Sequence, residues 1–265
     1  LEPKIDKALK DNGCSKVSLT SDDIDGFYFG FSNRTIWPLF HYFLEYSEFE
    51  TDSWNTYKAV NQKFADAILK KADDDDVIWV HDYQLMLVPE MVKEKRPNTS
   101  IGFFLHIPFP SYEIFRTLPW RKEILRGLLG SDLIGFHTYD YERHFLSSVR
   151  RLLGLEVSFN EIHLEDRVIK VDSFPMGIDY KKFSDAARVH AKNTADKQSE
   201  LQRRLNIHKE STPDAKLILS IDRLDYSKGI AKRLKAFEYF LNKHPEYKEK
   251  VRLIILAVPS RSNVP

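Results

Sequence analysis

Short apolar runs rich in β-branched residues alternate with helical patterns along this sequence, and the alternation strongly restricts the folds available to it. The runs include VIWVHD (77–82), IGFFLH (101–106), DLIGFH (132–137) and AKLILSID (215–222). Between them lie segments such as residues 53–72, in which apolar side chains recur at helical spacing. This order is typical of βαβ units, so it predicts an α/β fold with mostly parallel sheets.

The pattern starts afresh after a polar, charged stretch at residues 179–214, which is periodic enough only for surface helices. A chain of 265 residues with 42% hydrophobic residues is long enough for about two domains with their own cores. We therefore predict a Rossmann-like domain at residues 1–174, then a linker and the beginning of a second Rossmann-like domain at residues 175–265. Segments 155–160 and 167–175 are expected to form a hairpin or to complete the first sheet.

Charge and cysteine content exclude several classes of protein. The formal net charge is +1, so a partner recognised through bulk charge, such as nucleic acid, is not expected. The lone Cys14 excludes an internal disulfide and a multi-cysteine metal site. No run approaches the ~18 apolar residues of a membrane span, and we expect a cytoplasmic protein without a membrane partner. Common dehydrogenase, NTPase, serine hydrolase and zinc protease motifs are absent as well.

Polar residues follow the apolar runs at the points where parallel strands would end. They are His81, Asp82, His106, His137, Asp222 and Arg223. In an open parallel sheet these carboxyl ends converge on the crevice that binds ligands. The stretch SIDRLDYSKGI (220–230) adds Lys228 and Gly229 at a strand-to-helix turn.

Each of these residues also has a purely structural interpretation. A histidine at a strand end is more often a hydrogen-bonded structural residue. Asp82 could cap the helix that starts near Leu85, and Arg223 and Lys228 could be surface ions paired with neighbouring acids. Trp37 could simply pack in the core. The residues taken singly therefore leave the function open.

The combination is more specific, because five blocks resemble the trehalose-6-phosphate synthases in order and spacing. The blocks are residues 28–42 (YFGFSNRTIWPLFHY), 78–91 (IWVHDYQLMLVPEM), 101–145, 174–179 (FPMGID) and 222–230 (DRLDYSKGI). These enzymes are retaining glycosyltransferases of the two-domain GT-B architecture. The resemblance implies transfer of glucose from UDP-glucose to glucose 6-phosphate, which gives trehalose 6-phosphate and UDP without a metal ion or other cofactor.

The resemblance also implies roles for single residues. Those matching the family's acceptor site are Tyr28, Trp37, Asp82, Tyr83, Ile107 and Arg261. Those matching its donor site are Arg223, Lys228 and His106, which are expected to be catalytic as well. On this basis the first domain would serve the acceptor and the second the nucleotide sugar.

The family pattern also contains an N-terminal glycine-rich loop and further C-terminal segments that this sequence lacks. We therefore expect the 265-residue chain alone to be inactive and its full-length parent to be active. A homo-oligomer and a fused phosphatase domain in the parent are compatible with the family. Two alternatives stay open: a related transferase with another sugar- or polyol-phosphate acceptor, and a non-catalytic sugar-phosphate sensor.

Overall fold

The computed structural model of the chain describes residues 2–73, 75–191, 203 and 215–259, which fall into two compact units. The first unit ends at Met176 and the second begins at Gly177. The main helices are α1 (Glu2–Asp11), α2 (Ser21–Asp23), α3 (Trp37–Phe40), α4 (Thr51–Lys71), α5 (Val88–Lys93), α6 (Tyr112–Phe115), α7 (Arg121–Leu129), α8 (Tyr139–Leu153), α9 (Tyr180–Ala191) and α10 (Ile230–Lys243). The strands are β1 (Val77–His81), β2 (Ser100–Phe104), β3 (Leu133–Phe136), β4 (Glu156–Ser158), β5 (Glu161–His163), β6 (Val168–Ser173), β7 (Lys216–Arg223) and β8 (Val251–Val258).

A six-stranded sheet in the order β1-β2-β3-β6-β5-β4 organises the first unit. The strands β1, β2, β3 and β6 pair in parallel, whereas β5 pairs antiparallel with both β6 and β4. The predicted parallel α/β sheet is thus confirmed, and segments 155–160 and 167–175 complete it as expected. They do not pair with each other as a hairpin, because β5 lies between β4 and β6. The short strand β5 was not predicted. Three residues are too few to show an alternating pattern, and β5 is a strand because it pairs with β4 on one side and with β6 on the other.

Helix α8 shows how far local signals determine a helix end. Gly154 adopts a left-handed conformation (φ 70°) directly after the helix, as its position predicts. Thr138 occupies the N-cap position, but its side chain makes no capping hydrogen bond, contrary to the expectation from its residue type. Its carbonyl oxygen instead accepts the first helical bond from the N–H of Glu142, at 3.3 Å.

A π-helix at Ile24–Ile36 follows α2 and was not predicted. It packs lengthwise on α4, and Gly26 and Gly30 face that helix. A methyl group on Gly26 would lie 2.7 Å from the Cβ of Thr56, and one on Gly30 would lie 2.6 Å from the Oγ of Ser53. Glycine at these two positions therefore permits an approach that a side chain would block.

The core of the first unit is rich in aromatic side chains between the sheet and its helices. Phe31 contacts the rings of Trp54 and Tyr57, at centroid distances of 5.1 and 4.4 Å. Strand β1 alternates strictly, with Ile78 and Val80 buried. The opposite face of β1 carries Val77, Trp79 and His81, all exposed.

The second unit contains a βαβ motif in which α10 connects the parallel strands β7 and β8. All eight residues of each strand are paired, from Lys216 with Val251 to Arg223 with Val258. Helix α9 lies in the polar stretch that was predicted to form surface helices, and most of the remainder of that stretch lies outside the described residues. Among the described helices, none combines the length and apolar character needed to cross a bilayer.

Gly130 offers a test of the packing between α7 and α5. A Cβ at this position would overlap the backbone of Pro89 and Glu90, which no side-chain rotation can relieve. We expect Gly130→Ala to lower the free energy of unfolding of the first unit by about 3 kcal/mol. Urea unfolding followed by tryptophan fluorescence measures this, since all four tryptophans lie in the first unit.

Gly177→Ala is the matched control, because nothing lies within 4 Å of its Cβ position and its φ is not positive. We expect this variant to unfold like the wild type. Equal stability of the Gly130 variant and the control would contradict the close approach of the two helices.

Candidate functional site

The carboxyl ends of β1, β2 and β3 bring three histidines side by side. His81 ends β1, His106 follows β2 and His137 follows β3. The Nδ1 of His81 lies 2.9 Å from the Nε2 of His106, and the His106 and His137 ring centroids are 5.7 Å apart. The ring of Phe104 contacts both of the latter, at 4.8 and 5.1 Å. The predicted convergence of these strand ends is present in the structure.

Asp82 stands between these strand ends in a strained backbone conformation. Its φ of 72° and ψ of 171° lie in a region that is nearly restricted to glycine. Its N–H donates to the carbonyl of Phe104 at 2.8 Å, and its carboxylate accepts from the N–H of His106 at 3.1 Å. The side chain does not cap the following turn, which removes the capping interpretation. Strain that neighbouring residues maintain is typical of functional sites.

Buried polar groups on α4 hold the turn that follows Asp82. The hydroxyl of Tyr57 donates to the carbonyl of Tyr83 at 2.8 Å and accepts from the N–H of Met86 at 3.1 Å. The Oδ1 of Asn61 accepts from the N–H of Leu87 at 3.2 Å. Burial raises the pKa of Tyr57 far above its usual value, so the phenol stays protonated and able to donate.

Tyr57 falls within the helical apolar pattern of residues 53–72, and neither its hydroxyl nor Asn61 was predicted to hold this turn. The available signal was an amide at a position of the helix that faces the core, four residues after Tyr57. A buried amide needs hydrogen-bond partners, and here its partners are the backbone of the turn.

The aromatic residues predicted for the acceptor lie at different depths. Trp37 and Tyr83 are 5% and 2% exposed, and their ring centroids are 5.8 Å apart. The hydroxyl of Tyr83 donates to the Oδ1 of Asn33 at 3.2 Å. The structure therefore gives both side chains a packing role, and for Trp37 this agrees with the structural interpretation. Their contact with an acceptor stays a prediction.

Tyr28 and Ile107 flank this layer. Tyr28 lies half-buried on the π-helix, and its carbonyl accepts from the Nδ2 of Asn33 at 2.7 Å. Ile107 is 5% exposed and directly follows His106. Asn33 thus connects the π-helix to Tyr83, a link that no local sequence pattern indicated.

The charge on His106 depends on its surroundings. Partial burial lowers the pKa of His106 below its usual value; the carboxylate of Asp82 opposes this shift, while His81 and His137 add to it. The neutral imidazole is therefore favoured, and it can bind a hydroxyl group through one ring nitrogen.

In the second unit, the turn after β7 presents Arg223 and Lys228. Arg223 is the last residue of β7, and Lys228 immediately precedes Gly229, whose φ is 62°. The carboxylate of Asp225 accepts from the N–H of Ser227 at 2.9 Å and so shapes the turn. This assigns Asp225 the orienting role that its position suggests.

Asp222 is held by a residue that sequence reasoning missed. The Nη1 of Arg233 on α10 lies 2.8 Å from Asp222, and its Nη2 donates to the carbonyl of Lys228 at 3.1 Å. Arg233 also contacts the hydroxyl of Ser220. One guanidinium thus ties the end of the strand to the turn, and only its place in the first turn of α10 could have indicated this.

Two further predictions concern a phosphate contact and a metal ion. Arg261, expected to contact an acceptor phosphate, lies outside the described residues. In the part of the chain that the structure describes, no group of three His, Cys, Asp or Glu side chains is arranged to hold a metal ion.

Comparison with known proteins gives relatives over nearly the whole chain. The chain is 47% identical over 255 residues to the alpha,alpha-trehalose-phosphate synthase [UDP-forming] A of Dictyostelium discoideum, covering 96% of this chain and 34% of that protein. It is 44% identical over 259 residues to the bifunctional trehalose-6-phosphate synthase/phosphatase of Thermoproteus tenax, covering 97% and 34%. The chain therefore spans about a third of the length of these two relatives.

Solved structures agree in fold. An E. coli structure with bound UDP-2-fluoro glucose superposes with a TM-score of 0.84 at 34% identity, covering 93% of this chain and 53% of the other. An alpha,alpha-trehalose-phosphate synthase (UDP-forming) from Burkholderia xenovorans in complex with glucose-6-phosphate gives 0.84 at 31% identity, with the same coverage. The sequence model of glycosyltransferase family 20 matches residues 2–265, and the chain therefore belongs to that family.

Proposed function

We propose that the protein transfers glucose from UDP-glucose to glucose 6-phosphate with retention, giving trehalose 6-phosphate and UDP. The observation that carries the proposal is the pairing of Asp82 with His106 at the carboxyl ends of adjacent parallel strands. Two relatives with this fold were solved with a UDP-sugar analogue and with glucose-6-phosphate. Their ligands match in kind the two substrates proposed here.

On the acceptor side, Asp82 is proposed to bind sugar hydroxyls through its carboxylate. A charged acceptor of hydrogen bonds is strong and directional, and the strained backbone already holds it in place. Tyr28 and Arg261 are proposed to bind the phosphate, for which a guanidinium fits well. Trp37, Tyr83 and Ile107 would form the apolar wall and floor against which the sugar ring lies.

On the donor side, Arg223 and Lys228 are proposed to bind the diphosphate of UDP-glucose. The bond between glucose C1 and the phosphate oxygen breaks, and C1 bonds to the anomeric oxygen of the acceptor. The proton of that hydroxyl passes to the departing phosphate on the same face, which retains the configuration. Two fixed cations stabilise the negative charge as it grows on the leaving group. His106 is proposed to orient the donor glucose.

We also propose a cytoplasmic location, a fused phosphatase domain in the full-length protein and a homo-oligomer. A cytoplasmic location is supported by the single cysteine, Cys14, which fits a reducing compartment. The Thermoproteus tenax relative is named a bifunctional synthase/phosphatase. For this protein a fused phosphatase domain is tested by the full-length sequence, and a homo-oligomer by light scattering.

The reaction is tested by measuring UDP release from UDP-glucose by the full-length protein, with glucose 6-phosphate and a panel of other sugar and polyol phosphates. We expect release with glucose 6-phosphate and a loss of about 100-fold in kcat for Lys228→Ala, because one charge on the leaving group is then unmatched. The control is Lys232→Ala, an exposed lysine on α10, which should leave the rate unchanged.

The panel also separates the alternatives. Release with another phosphorylated acceptor alone would identify a related transferase. Release with none would favour a sugar-phosphate sensor and would contradict the proposed reaction.

Asp82 allows activity to be separated from stability. Asp82→Ala and Asp82→Gly both remove the carboxylate, so both should lose glucose 6-phosphate binding. Only glycine relieves the strained φ of 72°, so we expect the glycine variant to be more stable than the alanine variant by about 1–2 kcal/mol. Thermal unfolding compares them.

The same two substitutions at Asp166 serve as the control, since its φ is not positive. There, glycine should give no gain over alanine. A glycine variant at Asp82 that is no more stable than the alanine variant would show that the backbone carries no strain.

A further inference from the structure

His81 and His106 form a hydrogen bond between two imidazole rings. The Nδ1 of His81 and the Nε2 of His106 are 2.9 Å apart, and the ring planes differ by 24°. His81 is exposed and rests on the ring of Trp79, with a centroid distance of 4.5 Å. The bond joins the ends of two adjacent strands, and none of the roles proposed above uses His81.

Two neutral imidazoles at this distance share a single proton, because two protons would repel and none would leave two lone pairs facing each other. The state of one ring therefore determines the tautomer of the other. The groups that face His106 are Asp82, His81 and His137, and their combined effect with burial lowers the pKa of His106. The neutral form of His106 is therefore favoured.

The bond also determines which atom of His106 is available to a ligand. Its backbone N–H is directed to Asp82, and its Nε2 is engaged by His81. The ring nitrogen left for a ligand is Nδ1. A rotation of the ring by 180° would place the carbon Cε1 where Nε2 lies and Cδ2 where Nδ1 lies, so the bond to His81 opposes that rotation.

We propose that His81 is a positioning residue that holds His106 with Nε2–H directed to His81 and the Nδ1 lone pair presented to a sugar hydroxyl. In this arrangement both rings carry the Nε2 proton, which is the tautomer that neutral histidine prefers in water. The Nε2–H of His81 then points away from the pair and can donate to solvent. The opposite direction would place both rings in the less favoured tautomer. The assignment of the ligand as a sugar rests on the proposed function.

The hydrogen bond is tested without substrate by NMR of the 265-residue chain labelled with ¹⁵N-histidine. We expect His106 to carry its proton on Nε2 and to show a coupling across the bond to Nδ1 of His81. Absence of that coupling, or a proton on Nδ1 of His106, would overturn the proposal. His81→Phe should remove the coupling and leave in place the signals of the histidines outside this cluster, such as His144 and His163, which also shows that the variant folds.

The functional consequence is tested in the full-length protein by three variants. His81→Phe keeps a ring beside Trp79 but offers no acceptor, and we expect it to raise the KM for UDP-glucose about tenfold with less effect on kcat. In His81→Asn the side-chain oxygen can occupy the position of Nδ1, and we expect it to restore KM to within about threefold of the wild type. His163→Phe, a histidine on β5, is the matched control and should change neither constant.

An unchanged KM in His81→Phe, or an equal rise in His81→Asn, would overturn the positioning role. If the wild-type protein released no UDP with any acceptor, the proposed function would fail instead. The NMR coupling and the tautomer of His106 would still decide whether His81 positions the ring.

Discussion

The candidate site depends on hydrogen bonds from the buried face of α4 to the turn after β1. Tyr57 binds the backbone at Tyr83 and Met86, and Asn61 binds it at Leu87. A turn that leaves a parallel strand has backbone groups without sheet partners, and burying them unpaired would cost about 1–3 kcal/mol each. Because α4 satisfies them, the turn can lie in the core and keep Asp82 in a conformation that its own side chain disfavours.

The same arrangement recurs in the second unit with a charged residue. Arg233 on the helix after β7 binds Asp222 at the strand end and the carbonyl of Lys228 in the turn. A guanidinium can serve several acceptors at once because its donors lie in one plane at fixed angles. In both units the turn after a strand is held by a side chain to which no ligand contact is assigned.

Much of the fold could be predicted because its signals are local. The strands that begin at Val77, Ser100, Leu133 and Lys216 coincide with apolar runs, and Gly154 ends α8 as a left-handed residue. Other features of the structure were not predicted, because they depend on contacts between elements. Strand β5 is a strand only through its pairing with its neighbours β4 and β6, and the π-helix packs on the later helix α4. Thr138 occupies the N-cap position, but its side chain makes no capping bond. Side-chain hydrogen bonds depend on rotamers that tertiary packing selects.

By itself, the sequence determined the α/β class, the place of polar residues at strand ends and the resemblance that led to the family. These follow from periodicity and motif spacing, which are properties of a chain read in order. Only the tertiary structure decided that Trp37 and Tyr83 lie in the core, that Asp82 binds the His106 amide rather than capping a turn, and that His81 faces His106. Parallel pairing brings together residues about 25 positions apart, and the distances and angles between their side chains arise from packing that no local pattern records.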